Sequence, residues 1–154
     1  MSKFTDNIFT IHNNIFSLTP VIIAFYKNYK SREKDIFLAY FILPIVLDPI
    51  VLDEIKSITT KSNLTRLVSN KKVMAGFHDR FKQFYQITND CLQYALDCKY
   101  IEINETNLSV KVVNRDVLYT DSSLNKAINI ASKLPKMFKL DVINTYYAFG
   151  IKGL

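Results

Sequence analysis

From Ile36 to Leu52 the chain carries a single charged residue, Asp48, in a run otherwise made of aliphatic, aromatic and proline side chains. Its uncharged part, Ile36–Leu47, is twelve residues long, against the roughly 20 that a membrane-spanning helix needs. Pro44 and the Asp48-Pro49 pair interrupt the rest. The run is therefore expected as a buried core segment, with no membrane anchor. The remainder can enclose it, since 49 % of the 154 residues are hydrophobic. That length suits one domain, 1–154, organised as N-terminal helices over 13–60, a helix-helix-hairpin unit over 61–113, and a C-terminal helix with a docking tail over 121–154.

Ser17 is placed to cap a first helix, with Pro20 in its first turn and an apolar stripe of Leu18, Ile22, Phe25, Tyr26 and Tyr29. Lys30–Asp35 reads as a charged loop. Ile36–Leu43 reads as an apolar helix that Pro44 kinks or ends, and Pro49 opens a short helix to about Ile58. After a polar loop over Thr59–Asn63, Leu64–Ser69 makes a short helix. Lys71–Tyr85 makes a firmer one, with Val73, Met74, Phe77, Phe81, Phe84 and Tyr85 on one stripe. Thr88 is placed to cap the next helix, which runs to about Cys98. The period then changes to two at Ile101/Ile103 and Leu108/Val110/Val112, a β-hairpin turning at Asn104–Asn107. Asp121 caps a last helix that Pro135 divides. The apolar tail Val142–Ile151 must dock on the core or on another chain. The fold class is mainly α with one β-hairpin, and the helix-helix-hairpin order is winged-helix-like.

The chemistry-bearing inventory is thin. The chain has only three glycines, and Gly76, Gly150 and Gly153 fit no dinucleotide or P-loop pattern. Cys91 and Cys98 stand seven positions apart on one helix, about 10 Å, too far to share a bond or an ion; both read as small core residues. His78 lacks a nucleophile or an orienting partner, and His12 lies near the chain start. Asp48, Asp53 and Glu54 fall on different faces and are expected in solvent. No catalytic residue, metal or cofactor is expected. Met1–Thr10 shows no apolar leader, and two cysteines suit a reducing cytoplasm.

The net charge of +6 is concentrated. Within residues 61–82, Lys61, Arg66, Lys71, Lys72, Arg80 and Lys82 face Asp79 alone. Such a block can meet phosphate or an acidic protein, or it can be a solvated face. Lys71, Lys72 and Lys82 are the candidates for DNA-backbone contact. Arg80 falls on the apolar side of its helix, so it must snorkel, pair with an acid or face a partner. In a winged helix the second helix often reads the major groove; here that helix carries Asp90 and Asp97 and repels phosphate.

Several short motifs come in a familiar order. Asn13-Asn14 precedes a helix ending Phe25-Tyr26-Lys27-Asn28-Tyr29. Leu38-Ala39-Tyr40-Phe41-Ile42-Leu43-Pro44-Ile45-Val46-Leu47 comes next, then a Ser62-Asn63-Leu64 break, a Gly76-Phe77 helix with Arg80, a Thr88 cap, the hairpin, and Tyr146-Tyr147-Ala148-Phe149-Gly150-Ile151-Lys152. Over residues 13–152 this resembles the middle component of bacterial three-component ABC systems, the group that includes Lamassu-type antiviral defence. The resemblance departs in detail, with Phe149 for a usual Leu and Gly153 and Asn14 where Pro is usual. It implies a non-catalytic accessory subunit that bridges a large SMC-like ABC ATPase with a coiled coil and an effector, often a nuclease, and helps couple foreign-DNA sensing to effector activation. Arg80, Tyr146 and Phe149 are then the expected partner anchors. The alternative is a stand-alone winged-helix DNA-binding regulator, which predicts salt-sensitive, sequence-selective binding. A small enzyme would need an activity that tracks His78.

Overall fold

The computed structural model describes residues 14–55, 62–114 and 121–152. The expected end of the third helix near Ile58, most of the Thr59–Asn63 loop, His12, Asn13 and Gly153 lie outside the described residues.

The fold is mainly helical with one antiparallel hairpin. Helix α1 (Ile15–Asn28) is buried without a break from Ser17 to Tyr26. Its cap is Asn14, not Ser17: the Asn14 side chain accepts from the Ser17 amide at 3.1 Å. The helix thus starts earlier than expected and Pro20 lies inside it. The bond that Pro20 lacks would have reached the carbonyl of Phe16, a residue exposed at the helix start where water can serve that oxygen.

The apolar run is central, as its composition requires. A 3-10 turn (Asp35–Leu38) feeds α2 (Ala39–Val46), in which every residue but Tyr40 is buried. The helix passes through Pro44 to Val46 rather than ending there. The break comes at Leu47-Asp48, where the chain bends by 100° into α3 (Pro49–Ile55). Asp48 causes that restart: its Oδ1 accepts from the amides of Ile50 at 2.8 Å and Val51 at 3.4 Å, with Pro49 in the first turn. Among the described residues no single helix is long and apolar enough to cross a membrane.

Helix α4 (Leu64–Val68) is capped by Asn63. The expected continuous helix over Lys71–Tyr85 is broken: α5 (Lys71–Met74) stops at Ala75, and α6 (Phe77–Gln83) begins after Gly76, which sits at φ +69°. Glycine adopts that left-handed geometry without the Cβ penalty. Helix α7 (Tyr85–Asp97) begins with only Phe84 between. Thr88 is not a cap. Its amide donates to the Phe84 carbonyl at 3.0 Å and its side chain is fully buried, because helical bonding carries over the junction and leaves no terminus there to cap. The order helix, helix, hairpin is present, but with a one-residue junction the arrangement does not establish a winged helix.

Strands β1 (Ile101–Ile103) and β2 (Val110–Val112) pair antiparallel, Ile101 opposite Val112 and Ile103 opposite Val110. The turn is wider than Asn104–Asn107: Leu108, expected in the second strand, lies before it in the left-handed region at φ +58°. Asp121 caps a 3-10 turn (Ser122–Leu124) that leads into α8 (Asn125–Lys133). Pro135 ends that helix in a second 3-10 turn (Leu134–Lys136) and so divides the C-terminal helical segment. Asp141 caps α9 (Val142–Ala148). Helices α7 and α8 pack on α1, and one hydrophobic cluster collects side chains from all these helices and from both strands. The tail docks on it: Phe149 is 1 % exposed, its ring 4.6 Å from Phe41 and 5.0 Å from Phe77 between centroids.

Candidate functional site

Polar groups converge at Arg80. Its Nη1 donates to the Ala75 carbonyl at 2.7 Å and its Nη2 to the Val73 carbonyl at 2.9 Å. Both carbonyls lie at the C-terminal end of α5, whose oxygens have no partner within a helix of that length. Nε lies 3.0 Å from Asp48 Oδ2, an ion pair by distance although the N–H is not aimed along a hydrogen bond. The guanidinium also sits 5.5 Å from the centre of the Phe77 ring. Of the three fates open to Arg80, pairing with an acid is the one it takes. That acid, Asp48, was expected in solvent and is 8 % exposed, because it caps α3 with one oxygen and meets Arg80 with the other.

The other two expected anchors are also internal. Tyr146 is 5 % exposed and donates its hydroxyl to the Phe37 carbonyl at 2.7 Å. Burial, with Tyr40 and Tyr85 nearby, pushes its pKa above the usual tyrosine range, so it remains a donor. His78 Nε2 is 3.1 Å from the Phe149 carbonyl. A carbonyl only accepts, so that nitrogen carries the proton. Tyr146 and Phe149 meet the α6 rings of Phe81 and Phe77, while Arg80 faces α5 and Asp48; all three are parts of this chain's own packing.

The basic residues stand outside. Lys71, Lys72 and Lys82 are exposed, on α5 and α6. Asp90 and Asp97 on α7 accept from Gln86 at 3.0 Å and Gln93 at 2.9 Å. Tyr85 is half exposed and stacks on Tyr40 at 4.8 Å. The Tyr40 hydroxyl donates to Asn89 Oδ1 at 2.6 Å, and burial pushes its pKa up to about 12.

Asp35 carries a signal that its place in a charged loop concealed. Its side chain is fully buried. Oδ2 accepts from the Arg32 amide at 2.9 Å and the Ser31 hydroxyl at 3.2 Å, and Oδ1 from the Val110 amide at 2.7 Å. Together with Lys34 N–H to Asn107 O at 2.7 Å and Ile36 N–H to Leu108 O at 3.2 Å, this carboxylate fastens the hairpin to the entrance of α2.

A pocket of about 200 Å³ lies between α3, α4 and α5, with Ile55, Leu67, Val73 and Met137 beneath a rim of Glu54, Ser62, Arg66 and Asn70. Ligand sites are usually about 300–1,000 Å³, and the Glu54 carboxylate already holds the Asn70 amide at 2.9 Å. Burial pushes the Cys91 thiol up to about 11, which suits an inert core residue. Cys98, expected in the core, is exposed near the helix end. Among the described residues no group of three His, Cys, Asp or Glu side chains could hold a metal ion.

The fold and its interior ion pair define a small helical component with a basic exterior. Over residues 2–153 the chain matches the model of the family described as ABC-three component (ABC-3C) system Middle Component 3, and it belongs to that family. No curated protein and no solved structure matches it.

Proposed function

We propose that this middle component is a non-catalytic accessory subunit that bridges an SMC-like ABC ATPase and a nuclease-like effector in a cytoplasmic, Lamassu-type antiviral complex, coupling foreign-DNA sensing to effector activation. The observation that carries the reading is the family match along almost the whole chain. The thin chemical inventory supports it, since no nucleophile and base converge among the described residues. Lys71, Lys72 and Lys82 supply a backbone contact for duplex DNA within the complex, indifferent to sequence. The stand-alone regulator is the weaker reading, because α7 presents Asp90 and Asp97 where a reading helix needs bases. Co-purification of the tagged chain with the ATPase and effector of its own system tests the proposal. Recovery of both in one complex supports bridging; recovery of the chain with neither rejects it. Charge reversal of all three lysines is expected to weaken DNA binding by the assembled complex and flatten its salt dependence, and unchanged binding removes them from the DNA contact.

A further inference from the structure

We infer that the outward face of α9 is a docking surface for a second polypeptide whose apolar groove is edged with carboxylates. This rests on the accessory-subunit reading and adds the surface used. The inner face of α9 is fixed: Val142, Thr145 and Tyr146 are buried, and the Tyr146 hydroxyl is tied to the Phe37 carbonyl. The outer face carries Ile143, 54 % exposed, and Tyr147, 74 % exposed, four positions and therefore one turn apart. Other exposed rings lean on neighbours, Phe16 on Tyr94 at 5.0 Å and Tyr85 on Tyr40 at 4.8 Å. Among the described residues Tyr147 has no such ring partner. A tyrosine on a rigid helix is a common energetic anchor of interfaces, since it offers a large contact area for few frozen torsions.

Charge selects the occupant. No residue from Val142 to Ala148 is charged. Exposed lysines flank the helix along the chain, Lys136 before it and Lys152 after it. The one acid at its start, Asp141, has its carboxylate engaged by Asn144, through the amide at 2.8 Å and Nδ2 at 3.0 Å. An apolar centre in a basic frame complements an apolar groove with an acidic rim. A second copy of this chain, at net +6, would bring like charges together, and an Ile–Tyr face offers phosphate little to bind.

The test uses the full-length chain with the purified ATPase and effector of its own system. Tyr147→Ala is expected to weaken binding to one of them about tenfold, and the Ile143→Ser/Tyr147→Ala double variant more. Lys136→Glu with Lys152→Glu is expected to weaken it further at low salt than at high salt. Ile50→Ser, on α3, should leave binding unchanged. All these side chains are exposed, so unaltered melting curves certify the fold. If the wild-type chain binds neither component, the accessory reading and this inference both fail. If it binds and the double variant binds as tightly, only the docking surface fails. A wild-type dimer that Tyr147→Ala dissolves would overturn it in favour of self-association.

Discussion

Arg80 shows how one side chain can close a gap that the backbone leaves open. A helix of four residues, Lys71–Met74, cannot satisfy its own last carbonyls, and the planar guanidinium serves two carbonyls at that end while facing Asp48. Arg80→Ala should therefore destabilise the protein by about 3 kcal/mol, since it orphans carbonyls and a buried acid together. Arg80→Lys should recover only part, because an ammonium cannot fork; urea midpoints of the three proteins decide this. Asp35 makes the matching case for a buried acid. Desolvation raises its pKa, against hydrogen bonds from Arg32, Val110 and Ser31 that lower it. The folded state then holds this proton at pH values where the unfolded chain has released it. The stabilisation from protonation is complete below the unfolded value, about 3.9, and is lost as pH rises through the raised folded value. Relative to Asp35→Asn, the wild type should lose stability as pH climbs from about 4. A gap that widens in favour of the wild type would show that the hydrogen bonds dominate instead.

Between elements, the junctions matter more than the helices. Gly76 separates α5 from α6 at φ +69°, and a Cβ there would meet nothing nearer than Arg80 Nη1 at 3.8 Å. Gly76→Ala should thus cost about 1–2 kcal/mol from backbone conformation alone, and Gly76→Asn should cost less, because asparagine tolerates the left-handed region better; thermal melts of both measure it. The same junction marks a limit of sequence periodicity. The stripe Val73, Phe77, Phe81, Phe84 keeps its helical period across the break, so periodicity reports which side faces the core and is blind to a break that preserves the side. The hairpin was readable from its alternation, but the extent of its turn was not: Leu108 continues the alternation in sequence and yet sits at φ +58°, ahead of β2. The cap at Asp121 was readable, and Thr88 was misread, because a buried threonine within a continuing helix has the same sequence look as a cap. The ion pair at Arg80 was half readable: its misplaced charge demanded a partner, but Asp48, far off in sequence and beside a proline, gave no sign of being that partner. Asp35 gave none either, for a carboxylate amid Arg32, Glu33 and Lys34 has the look of a solvated turn.

For the molecule as a whole, the C-terminal segment has two roles carried by nearby residues. Phe149 closes the aromatic cluster of Phe41, Phe77 and Phe138, while Tyr147 points away from it. Composition cannot separate them, since an aromatic tail suits a core and an interface equally; only the phase of α9 does, and that phase is set by Asp141 at its cap and Tyr146 on its inner side. Truncation of the two rings should therefore diverge. Phe149→Ala removes a ring that is 1 % exposed and should cost about 3–5 kcal/mol, a large part of a small domain's total stability, so any loss of partner binding would stem from loss of fold. Tyr147→Ala should leave the denaturant midpoint within about 0.5 kcal/mol of wild type while weakening association. Amide hydrogen exchange on the isolated variants reads the difference directly: Phe149→Ala should speed exchange in α2, α6 and α9 together, since their rings share one cluster, and Tyr147→Ala should leave all three as they were. Equal effects of the two substitutions on exchange would mean that α9 has no free outer face.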